Sequence, residues 1–83
     1  MEKSIHSGRY AIFLKVLREM RERAGLTQVQ LARNIGETQT FVSKCERGER
    51  RIDVIELRTF CRAFGVSLSQ FVSKLERAMG KLK

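Results

Sequence analysis

Between Gln39 and Arg47 the chain gathers amide, hydroxyl and cationic side chains at helical spacing. On a helix turning about 100° per residue, Thr40, Ser43, Lys44 and Arg47 share one side, with Gln39 at its edge. Val42 and Cys45 fall opposite. An amide pairs with the donor–acceptor edge of adenine, lysine reaches the acceptors of guanine, and short hydroxyls bond either. No acid lies among them, whereas a merely solvated face would mix glutamate with lysine. The pattern suits a polyanion whose base edges are read. Phe41 lies between the polar and apolar sides, placed to pack on a turn or to touch a sugar.

Other chemistries find no residues to carry them. No Ser/His/Asp set, paired-carboxylate cleft or phosphate loop can be assembled, so no enzyme is expected. The lone histidine, His6, sits in a polar N-terminal stretch and reads as a solvated tail residue. Cys45 and Cys61 belong to no CxxC pattern and have no nearby histidine, so neither metal nor cofactor is expected. Both thiols fall among apolar neighbours, which suits a reducing, cytoplasmic setting.

Five elements are needed to position that face. Tyr10, Phe13, Leu14, Leu17, Met20 and Ala24 recur at steps of three and four, as in an amphipathic helix that Gly25 stops. Ile12 and Val16 form a second, narrower stripe that can meet helix five or a partner chain. Thr27 and Gln30 form a capping box for a short second helix carrying Val29, Leu31, Ala32 and Ile35 up to Gly36. Thr38 caps the third helix, which Gly48 terminates. Asp53 and Glu56 open a fourth, with Val54, Leu57, Phe60, Cys61 and Phe64 as its core face and Gly65 at its end. Ser67 and Gln70 open a fifth, striped by Leu68, Phe71, Val72, Leu75 and Met79. The expected fold class is a compact, all-α, five-helix domain. Residues 1–8 read as a flexible arm, 9–79 as the domain and 80–83 as a basic tail.

Helices two and three, joined by a short glycine-containing turn, can cross steeply and project the third outward. Ala32 supplies the small residue such a crossing needs, and Gly36 tolerates the positive φ of the turn. Seventeen Lys and Arg against nine Asp and Glu leave the 83-residue chain at +8. A field of that size attracts phosphate polymers or anionic surfaces. No apolar run approaches the roughly 20 residues of a membrane span, and residues 1–8 lack the apolar core of a secretory signal.

The combined run Leu26-Thr27-Gln28, Leu31-Ala32, Gly36, Gln39-Thr40, Val42-Ser43 and Glu46-Arg47-Gly48, with Arg50-Arg51 behind it, resembles the lambda-repressor-like (XRE or Cro-like) helix-turn-helix family. The likeness covers roughly residues 9–72. It implies a double-stranded DNA partner and a transcriptional regulator, read as a repressor, in a bacterial or phage-type cytoplasm at the nucleoid. By the same likeness Gln39, Thr40, Ser43 and Lys44 touch base edges, while Thr27, Gln28, Arg47, Arg50 and Arg51 contact phosphates. Helix N-termini favour phosphate on physical grounds as well. Arg21 and Glu46 lie where charge is costly unless paired. Similar family members join such residues in a partly buried ion pair.

One recognition helix reads few bases, so a homodimer on a pseudopalindromic operator is expected. Leu68, Leu75 and Met79 are the expected interface, aided by Ile12 and Val16. A rival reading is an antitoxin-like protein-interaction module with secondary DNA binding. It would place function on helix five and the tail instead of helix three.

Overall fold

The computed structural model describes residues 8–80. They form α1 (Gly8–Arg23), α2 (Gln28–Ile35), α3 (Gln39–Glu46), α4 (Val54–Phe64) and α5 (Leu68–Met79), with no strand among them. His6, most of the expected arm and the tail Lys81 to Lys83 lie outside these residues.

Local hydrogen bonds set the helix starts. Thr27 Oγ1 accepts from the Gln30 amide at 3.1 Å, and Gln30 Oε1 accepts from the Thr27 amide at 2.9 Å. The pairs Asp53/Glu56 and Ser67/Gln70 repeat that reciprocal arrangement on α4 and α5. Each box satisfies two N–H groups that a helix terminus would otherwise leave unbonded. Thr38 caps α3 alone, accepting from the Phe41 amide at 3.1 Å. Between α2 and α3 the chain reverses through Gly36 at φ 74°, a left-handed conformation that costs a residue with a Cβ about 1–2 kcal/mol.

The core runs through all five helices. Leu17, Leu31, Val42, Cys45, Phe60, Cys61 and Phe71 are fully enclosed, and Ala32 is buried where α2 approaches its neighbours. Phe13 meets Phe71 edge-on at 5.8 Å between ring centres, joining α1 to α5. Phe60 meets Phe64 edge-on at 6.3 Å within α4. The strongest packing joins α2 to α3, and α1 to α5, so the outer helices form a cradle for the pair that carries the polar face.

Five apolar expectations need correction. Val29 stands on the first turn of α2, where it is 50% exposed although Ala32, one turn on, is buried. Val54 has the right periodicity but stands on the first turn of α4, beyond the cover of its neighbours, and is 59% exposed. Val72 sits about 100° from Phe71, at the margin of the α5 stripe, and Ala24 is exposed at the end of α1. Val16 goes the other way. It is buried within the chain, so it offers nothing to a partner, while Leu68 and Leu75 are half-buried against the core.

Candidate nucleic-acid interface

The polar face of α3 forms because its opposite face is consumed by the core. Val42 and Cys45 are fully buried, which turns Gln39, Thr40 and Lys44 outward as exposed residues and leaves Ser43 half-buried. Arg47 caps the helix C-terminus in a right-handed conformation and is exposed. The expected base-reading residues therefore share one accessible face.

A hydrogen-bonded chain holds that face in place. Arg21 on α1 meets Glu46 on α3 through two bonds, Nε to Oε2 at 2.6 Å and Nη2 to Oε1 at 3.1 Å. Arg21 Nη1 also donates to the Leu26 carbonyl at 2.8 Å. Both side chains are almost enclosed, so this expected ion pair is present with each charge satisfied. Gln28 extends the chain. Its Nε2 donates to Glu46 Oε1 at 2.9 Å, and its Oε1 accepts from Gln39 Nε2 at 2.8 Å. Three helices thus fix the amide of Gln39, the first residue of that polar face. Gln28 and Gln39 carry no charge pattern that announces such a link; only the crossing of α2 and α3 brings them together.

The arginines expected at phosphates are placed less uniformly. Arg47 pairs with Glu49 at 2.9 and 3.1 Å and also donates to the Ser43 hydroxyl. That pairing lowers the carboxyl pKa of Glu49 and raises that of Arg47, chiefly through the hydrogen bonds between them. Arg51 lies over the ring of Tyr10 on α1, 4.8 Å from its centre. Arg50 is bonded to both oxygens of Glu56 on α4 and lies over Phe41, 4.7 Å from the ring centre. Phe41 accordingly packs inward, between Arg50 and Phe60. Thr27 spends its hydroxyl on its cap, and the exposed start of α2 remains beside Gln28.

The residue types that could support other chemistry are dispersed or inert. Among the described residues no three His, Cys, Asp or Glu side chains converge as a metal site. Cys45 and Cys61 are free, buried thiols; burial pushes Cys61 up to about 11 and raises Cys45 as well. Neither is a thiolate at neutral pH. No described helix is long and apolar enough to cross a membrane.

The chain is similar to known proteins. A family model described as helix-turn-helix matches residues 17–71, which contain every contact of the Arg21–Glu46–Gln28–Gln39 chain. Control protein C.MunI of a Mycoplasma species is 30% identical over 69 residues, spanning 83% of this chain and 90% of its own. A solved XRE-family like protein from Pseudomonas syringae pv. tomato str. DC3000 is 49% identical with a TM-score of 0.80, covering 90% of this chain and 92% of that one. The solved clp gene regulator ClgR from Corynebacterium glutamicum is 26% identical with a TM-score of 0.75, covering 89% of this chain and 78% of that one.

Proposed function

The chain belongs to the XRE, or lambda-repressor-like, helix-turn-helix family of DNA-binding transcription regulators, and we propose that it represses transcription by seating α3 in the major groove of a pseudopalindromic operator. The observation that carries this reading is the acid-free face of Gln39, Thr40, Ser43 and Lys44, whose first residue, Gln39, is held from behind by the Arg21–Glu46–Gln28 chain. An amide already held in place loses little conformational entropy when it meets a base edge, so its discrimination is not spent on ordering the side chain. In this reading Gln39 bonds an adenine edge and Lys44 guanine acceptors, with Thr40 and Ser43 contributing less selective bonds. Thr27 and Gln28 at the start of α2, with Arg47 and Arg51, grip the phosphates on either side. Occupancy of the operator excludes polymerase, at the nucleoid of a reducing cytoplasm that suits the two buried thiols.

Two copies bind together. Val54 and Ile55 are 59% and 70% exposed at the start of α4, beside an apolar groove lined by Tyr10, Phe13, Leu57, Leu75 and Met79. Arg9 and Asp53 border the same groove, so the patch carries both signs of charge. A patch of that kind can face itself across a two-fold axis. The interface therefore centres on the first turn of α4, with α5 supplying its wall.

Titrating a fluorescent duplex over a range of salt tests the reading. Affinity falls steeply, with a logarithmic slope of roughly −0.9 per phosphate contact. A complex indifferent to salt would overturn it and favour the protein-interaction alternative.

A further inference from the structure

We propose that Arg50 is a positioning residue, locking the recognition helix to α4 through Phe41 and Glu56 instead of gripping phosphate. The inference rests on the reading that α3 contacts bases. Arg50 Nη1 donates to Glu56 Oε1 at 3.0 Å and to the Arg51 carbonyl at 2.9 Å, and Nη2 donates to Glu56 Oε2 at 2.9 Å. The flat face of the same guanidinium covers Phe41. Arg50 is thus tied to a second helix by its guanidinium edge and packed on an aromatic ring by one face, whereas the Arg47–Glu49 pair joins near neighbours at the end of α3.

Glu56 is itself anchored. It accepts from the Asp53 amide at 3.0 Å while Asp53 caps the start of α4, so the clamp ends on the capped first turn of that helix. Beyond Phe41 stands Phe60, 6.4 Å between ring centres, in the middle of α4. Aromatic and cationic contacts of this kind matter here because the backbones of α3 and α4 approach at few points, whereas α3 packs broadly on α2. The stack Arg50–Phe41–Phe60 is a side-chain bridge across that gap, at the outer edge of the shared core. Phe41 follows Gln39 and Thr40 directly, so any tilt it permits moves the first turn of the reading face. The pairing lowers the carboxyl pKa of Glu56, first through the bonds from Arg50.

The test measures duplex affinity against salt for Arg50→Ala, Arg50→Lys and Glu56→Gln beside the parent, with Lys44→Ala as control. Lysine keeps the charge but can neither fork onto Glu56 nor lie flat on Phe41. Glutamine keeps the α4 capping box but loses the ion pair. The expected result is that Arg50→Ala and Arg50→Lys weaken binding alike, by about tenfold, the scale of lost charge-assisted hydrogen bonds. Glu56→Gln weakens it in the same direction, and all three keep the parental salt slope. Rescue by lysine, a slope reduced by about 0.9, or tighter binding by Glu56→Gln would overturn the proposal in favour of a phosphate contact. Unchanged binding by all three would overturn it too. Loss of the wider reading has a separate signature, which is Lys44→Ala binding as tightly as the parent.

Discussion

Glu46 carries a charge into the protein interior and faces the most demanding local requirements in the domain. Its side chain is 3% exposed and accepts from Arg21 and Gln28 together. Removing it strands the Arg21 guanidinium, itself only 11% exposed, with its Leu26 bond and no counter-charge. Breaking an enclosed pair by deleting one partner costs about 3–5 kcal/mol, far more than the pair adds when intact. Glu46→Ala should therefore lower the free energy of unfolding measured in urea by that amount, and the fraction that stays folded should bind DNA more weakly because Gln28 and Gln39 lose their anchor. A variant of parental stability would show that Arg21 finds water or another partner. Its location was legible in the sequence, because a lone acid beside Val42 and a lone base beside Leu17 each need a partner. The Gln28 link was not, since neutral amides signal no such need.

The helices themselves were the most legible feature, because their start signals are local. Thr27/Gln30, Asp53/Glu56 and Ser67/Gln70 each close their bonds within four residues, so no tertiary knowledge is required. Burial depends on what lies opposite, and Val54 shows the limit: its periodicity is right but its turn projects past its neighbours. Arginine partners are illegible for the same reason. Arg50 finds Glu56 only after the α3–α4 loop folds back, and the spacing alone suited a phosphate contact equally well. Packing also sets a pH response. Cys61 on α4 is held protonated to about 11, above its ordinary 9.0, so the unfolded thiol ionises first as pH rises. The stability it contributes is intact below pH 9 and fades toward pH 11. Thermal midpoints across that range should decline less for Cys61→Ala than for the parent, whatever the variant's offset at neutral pH. Parallel curves would assign the alkaline loss to other groups.

At the scale of the whole molecule, the proposed pairing of two copies rests on the exposed start of α4. Placing a charge at its centre, Ile55→Asp, should leave the monomer folded while converting a two-copy DNA complex to a weaker one-copy complex in sedimentation. A retained two-copy complex would move the interface elsewhere, to α5 or beyond the described residues. The central claim, that α3 reads bases, is tested most directly by selecting binding sites from random duplexes with the parent, Gln39→Ala and Lys44→Ala. The parent should enrich a two-fold symmetric sequence with half-site centres about 10 base pairs apart. Each variant should lose about 1–3 kcal/mol on that sequence and relax the preference at one position of each half-site. Enrichment of the same sequence at unchanged affinity by both variants would contradict the account.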